Sequence, residues 1–92
     1  MRVMDVDGDN MTPTLSYGDR LIIDFWDTQI TANSGVYAFY NAGAVVIYRA
    51  EKKVGSVDVI LSSDNPVYFT HRVDLDKLEI LGRVAHFARP LT

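Results

Sequence analysis

Short runs of β-branched and aromatic residues, each stopped by a cluster of turn formers, set what this chain can fold into. Val36–Tyr40 reads Val-Tyr-Ala-Phe-Tyr and is broken at once by Asn41-Ala42-Gly43. Ala44–Ala50 follows, closed by the charged turn Glu51–Ser56. Arg20–Phe25 is rich in Leu and Ile and is followed by the polar, turn-prone Trp26-Asp27-Thr28. Arg2–Val6 alternates loosely at the front, and Val57–Ser62 places Val57, Val59 and Leu61 at alternate positions. Ser63-Asp64-Asn65-Pro66 has Asx and Pro turn chemistry. Val67–Thr70 reads as extended, and Val73–Leu78 as a polar connection with one short turn. Leu78–Ala88 is a long apolar last strand, with Gly82 marking a bulge or a close approach of backbones. Such residues fit a pleated, half-buried surface, and turns this closely spaced join antiparallel neighbours. No stretch keeps a helical apolar period beyond a few turns. The chain is therefore predicted to be mainly β, with about seven short strands in an antiparallel meander and one short helical turn.

At 92 residues there is room for one small domain with a modest core. A net charge of -3 gives no electrostatic footprint for nucleic acid. The absence of cysteine excludes disulfides and thiolate metal sites and is compatible with a reducing compartment. No apolar run approaches the ~20 residues that span a bilayer, and Met1–Asp5 has no signal-peptide core.

The stretch around which the rest is organised is Gly8-Asp9-Asn10-Met11-Thr12-Pro13-Thr14-Leu15-Ser16-Tyr17-Gly18-Asp19. Asn10 is a good N-cap and Pro13 fits a first helical turn, so a short turn of helix is expected from Met11 to about Leu15. The stretch resembles the nucleophile segment of the LexA and phage CI-type self-cleaving peptidases, which the type I signal peptidases share more distantly. Their pattern is Gly-Asp-Ser-Met, any residue, Pro-Thr-Leu, and a Gly-Asp pair a few residues on. Gly8, Asp9, Met11, Pro13, Thr14, Leu15, Gly18 and Asp19 match it, and Asn10 stands where the pattern has serine. Leu61–Tyr68, with its Ser-Asp-Asn-Pro, is similar to a later segment of that family, and Leu78–Val84 to its closing strand.

The resemblance implies a small LexA/signal-peptidase-like β domain over residues 1–92 and a serine–lysine dyad. A dyad of that kind needs a hydroxyl nucleophile and an amine whose pKa is pulled down by desolvation. Asn10 offers a carboxamide, a poor nucleophile. The family lysine lies in a strand reading Val-Lys-Arg-Leu, and the matching Ile47-Tyr48-Arg49-Ala50 puts Tyr48 in its place. A tyrosine of pKa ~10 is a poor base at neutral pH. Lys52 and Lys53 follow in a charged turn and read as solvated. Tyr48 is expected to pack as a strand aromatic, its hydroxyl reaching a polar partner, with Asn10 a candidate acceptor. Both dyad positions having changed, the expectation is a non-cleaving domain that is not an enzyme.

What the resemblance then implies is oligomerisation. The domain would be the C-terminal homodimer or higher-oligomer module of a cytoplasmic repressor. Operator DNA would be met only through an N-terminal domain absent here, and induction would pass through an antirepressor protein rather than cleavage. Family members carry a lead-in with the scissile bond before this point, so the sequence reads as a fragment or a minimal protein. The last strand is the expected dimer edge, with Leu81, Val84, His86 and Phe87 as candidates. The alternatives are a self-processing serine peptidase with an altered site, and a stand-alone β adaptor binding peptides in the vestigial cleft.

No cofactor and no metal is expected. Asp5, Asp7 and Asp9 imitate the start of an EF-hand loop, but Gly8 is misplaced and Ser16 stands at the twelfth position. His71 and His86 lack a zinc-site context. Trp26 reads as a lid on the core or an interface anchor.

Overall fold

A computed structural model describes residues 2–6 and 8–88; the side chains of Arg2, His86, Phe87 and Ala88 lie outside that description. Seven strands are present: β1 (Arg2–Asp5), β2 (Arg20–Asp24), β3 (Gly35–Asn41), β4 (Ala44–Lys52), β5 (Asp58–Ser62), β6 (His71–Asp74) and β7 (Ile80–Ala88). They form one sheet in the order β1-β2-β7-β3-β4-β5-β6, and every neighbouring pair is antiparallel. The one helical element among the described residues is a 3₁₀ turn, Leu75–Lys77, capped by the Asp74 carboxylate accepting from the Asp76 N–H.

The meander expected from the turn spacing is present in β3 to β6. It opens with a tight hairpin: Asn41 pairs with Ala44, and both loop residues take positive φ, Ala42 at 50° and Gly43 at 86°. Two positive φ values in a two-residue loop match the twist of the flanking strands. β7 departs from the meander by inserting between β2 and β3. It is apolar on both faces, Ile80 joining one core and Leu81 and Val84 the other, and such a strand needs cover on both sides.

β7 is therefore not an outer strand of the sheet. Ile80, Gly82 and Arg83 pair with β3, and Arg83, Val84, His86, Phe87 and Ala88 pair with β2, while β1 and β6 are the outer strands. From Val84 onward, however, β2 is the only pairing partner among the described residues. Gly82 sits where the two pairings meet, close to a register shift in each ladder. A Cβ there would lie 2.3 Å from the Asp24 carbonyl oxygen, so the glycine marks the close approach read from sequence and sits beside the bulge at Leu81.

Two other segments differ from their sequence reading. Val67–Thr70 is no strand, because Asn65 holds the chain in a turn: its side-chain oxygen accepts from the Val67 N–H at 3.2 Å and its carbonyl from the Tyr68 N–H at 3.2 Å. The sixth strand starts only at His71, opposite Leu61. Met11–Leu15 is a single turn, closed by the Leu15 N–H on the Met11 carbonyl at 2.9 Å, and does not continue as helix. The Thr12–Pro13 peptide in it is cis.

Alternation along the strands builds a core on each face of the sheet. Met11 and Leu15 from the turn segment, Leu21 and Ile23 of β2 and Ala38 of β3 form one. Tyr37 and Phe39 of β3, Val59 and Leu61 of β5 and Ile30 of the β2–β3 connection form the other. Each fully buried aliphatic contributes about 1.5–3 kcal/mol. Trp26, read as a lid on the core or an interface anchor, is 92% exposed and is therefore no core lid. No described helix is long and apolar enough to cross a membrane.

Candidate functional site

The Gly8–Asp19 segment lies across one face of the sheet and is fastened at its base. The Val6 N–H donates to the Asp19 carbonyl at 2.8 Å, and the Gly18 N–H to the Val6 carbonyl at 2.9 Å. The Asp19 carboxylate, 1% exposed, accepts from the Ser16 N–H at 2.9 Å. With Met11 and Leu15 buried beneath it, the segment holds Asn10 against the middle of β4.

Asn10 does not act as the helix cap its local sequence suggests. Its side-chain N–H group donates to the Ile47 carbonyl of β4 at 2.6 Å and lies 3.4 Å from the Ser63 hydroxyl. The β4–β5 ladder stops at Arg49 and Ser62, so this amide serves a β4 carbonyl beyond the end of β5. Tyr48 is the next residue along β4. Its ring packs on Phe39, centroids 6.1 Å apart, as part of the second core. Its hydroxyl bonds neither to Asn10 nor to any other described residue.

A second fastening comes from the turn after β5. Asp64 accepts two hydrogen bonds from the Arg49 guanidinium, each at 2.8 Å, and a third from the Thr14 hydroxyl. Asn65 donates from its backbone to the Asn10 carbonyl and from its side chain to the Asp9 carbonyl, both at 3.0 Å. The Tyr68 hydroxyl donates to the Asp9 carboxylate. The Arg49 bonds hold the Asp64 carboxyl below its ordinary range, and Asp64 in turn raises Arg49. Hydrogen bonding to Asp9 raises the Tyr68 phenol. The sequence reading took this turn for Asx and Pro chemistry alone; a basic strand residue and a carboxylate 15 positions apart carry no local signal of pairing.

Between the two segments lies a cleft of about 470 Å³, where Asn10, Tyr48, Ser63 and His71 share the lining with the exposed Val67 and Phe69. The two positions singled out by resemblance, Asn10 and Tyr48, are thus brought together. Lys52 and Lys53 do not line the cleft. Chemically the cleft offers an amide already bound to a carbonyl, a packed phenol and a serine hydroxyl beside that amide, with no hydrogen bond between Ser63 and His71.

The other singled-out residues lie elsewhere. Leu81 and Val84 are half-buried against the first core, and Val84 also borders a groove with Ser34, Gly35 and Val36. His86 and Phe87 stand opposite Ile22 and Leu21 in register, and their side chains lie outside the described residues. Of the EF-hand-like acids, Asp5 is 3.6 Å from Arg20, Asp9 is bound by Tyr68, and Asp7 lies outside the described residues.

A family model described as Peptidase S24-like matches residues 1–85. No curated protein matches the chain significantly.

Proposed function

The chain belongs to the Peptidase S24-like family, and we propose that it is a non-cleaving member whose domain dimerises a repressor of the LexA and phage CI type. The observation that carries the loss of cleavage is the bond from the Asn10 amide to the Ile47 carbonyl, with Tyr48 packed beside it. Where a Ser–Lys pair needs a hydroxyl and a desolvated amine, this site holds a hydrogen-bonded carboxamide and a phenol. Removing the amide by Asn10→Ala leaves the Ile47 carbonyl unpaired and is expected to cost about 1–2 kcal/mol in urea unfolding. Incubated at alkaline pH, the parent chain should remain intact by mass spectrometry. Fragments that vanish in Asn10→Ala would overturn the reading.

Dimerisation is supported by the free side of β7. Among the described residues, Val84, His86, Phe87 and Ala88 pair with β2 alone, with Ala85 the extra residue between them, and an unpaired strand edge is a template for another strand. A two-fold axis beside it would let the same strand of a second copy add there. Linked dimers bring a second DNA contact at high effective concentration, which is how such a module would tighten operator binding through an N-terminal domain. An antirepressor protein would then replace cleavage as the inducing partner.

Sedimentation equilibrium tests this. A reversible dimer is expected, weakened at least tenfold by Ala85→Glu, which places a charge at an exposed position on that edge. Val84→Asp should act in the same direction, and circular dichroism checks that each variant keeps its fold. A parent chain that stays monomeric, or a dimer indifferent to Ala85→Glu, would overturn it.

A further inference from the structure

On the far side of Tyr48 and His71 from the cleft lies a second cavity, of about 530 Å³, between the end of β3, β6 and the 3₁₀ turn. Its floor is apolar and fixed: Phe39 and Leu61 are 2% and 5% exposed, and Leu78 packs into the same core. Its rim is polar, with Asn41, Tyr48, His71, Lys77 and Glu79 contributing. The register explains part of this arrangement. His71 and Val73 stand opposite Leu61 and Val59, so both share the face on which the second core lies.

The polar ends of four of the rim groups are not used by the fold. Among the described residues, the side chains of Asn41, Tyr48, Lys77 and Glu79 make no hydrogen bond or ion pair. This contrasts with the turn after β5, where Asp64, Asn65 and Tyr68 are all committed. A cavity of a few hundred cubic ångströms with an apolar floor and a few convergent polar groups is the form small-molecule sites take.

We propose that this cavity binds a small aromatic organic acid, its ring against Tyr48 and its carboxylate at Lys77. The half-buried Tyr48 suits a flat ring, which stacks offset or edge-on against it. Lys77, His71 and the Asn41 amide supply donors for the acid group. Glu79 is the one acid in the lining, against the two cations Lys77 and Arg72, so the charge of the site favours an anion. The site does not depend on dimerisation, and its test reads ligand contact directly.

The test is a titration of the ¹⁵N-labelled chain, followed by amide chemical shifts, with indole-3-acetate as probe and tryptamine as the same ring bearing a cation. Indole-3-acetate should give saturable shifts at Asn41, Tyr48, Leu61, His71 and Lys77, with a Kd of about 1 mM or below. Lys77→Ala, on an exposed turn, should weaken it about 2- to 5-fold, and Lys77→Arg should restore it. Glu79→Gln should tighten it. Equal binding of tryptamine, shifts centred on Gly8–Asn10 and Ser63, or no saturation would each overturn the proposal.

Discussion

Gly82→Ala should remove a large share of the stability of this domain. The added Cβ would lie 2.3 Å from the Asp24 carbonyl oxygen, 2.9 Å from its carbon and 3.0 Å from the Ile23 side chain. The first two contacts are backbone, so no rotamer change relieves them. Nor can β2 retreat easily, because it is held between β1 and β7 and its Leu21 and Ile23 fill the first core. Relief would have to come from parting β2 and β7 at the junction where β7 passes from one partner strand to the other. Overpacking that displaces backbone costs about 3 kcal/mol or more, against a total of roughly 5–14 kcal/mol for a chain this long. The midpoint of thermal unfolding, followed by circular dichroism, should fall by about 12–24 °C. Gly8→Ala is the control, because its Cβ would meet only the Asn10 side chain at an ordinary 3.6 Å. A Gly82 variant melting with the parent would mean that β2 and β7 stand further apart than described.

Gly82 also shows what kind of information a sequence of this size carries plainly. A glycine inside a long apolar run has few explanations, and the structure supplies one of them, the close approach of backbones, beside the bulge at Leu81. The strands β2, β3, β4, β5 and β7 were legible because their alternation and their turns are local. The Asn41-Ala42-Gly43 break names its own hairpin. What was not legible depends on residues far apart. Asn10 has the sequence of a helix cap, but its amide is taken by Ile47, 37 positions later, and the expected helical turn ends after one hydrogen bond. The apolar Val67–Thr70 looked extended, and the Asn65 turn overrides it. Trp26 has a core residue's side chain and a surface position. The place of β7 in the sheet is an ordering of strands, and the turn spacing that suggested a meander does not encode it. For the site, resemblance found Asn10 and Tyr48, whereas Arg49, Asp64 and Thr14 were found only when the fold brought them together.

Those last three residues carry the other large effect. Asp64→Ala is expected to destabilise the domain by about 2–3 kcal/mol, the scale of hydrogen bonds to a charged group whose partner is left partly buried. The Arg49 and Asp64 side chains are 33% and 17% exposed, which places the pair between surface and interior values. The loss reaches beyond the pair. Asp64 anchors the turn whose next residue, Asn65, holds the Asp9 and Asn10 carbonyls, so exchange of the Asn65 amide hydrogen should quicken in the variant. The same carboxylate predicts a pH dependence. Hydrogen bonding to Arg49 lowers its folded pKa below the ordinary 3.8, so folding favours the ionised form. The stabilisation is complete above 3.8 and is lost as the pH falls through the folded value. Urea unfolding of the parent and of Asp64→Asn between neutral pH and pH ~3 isolates it from the other carboxylates. The parent should be more stable at neutral pH, and the two curves should converge as the medium is acidified. A gap of constant size down to the lowest pH would assign the effect to the shape of the side chain and not to its charge.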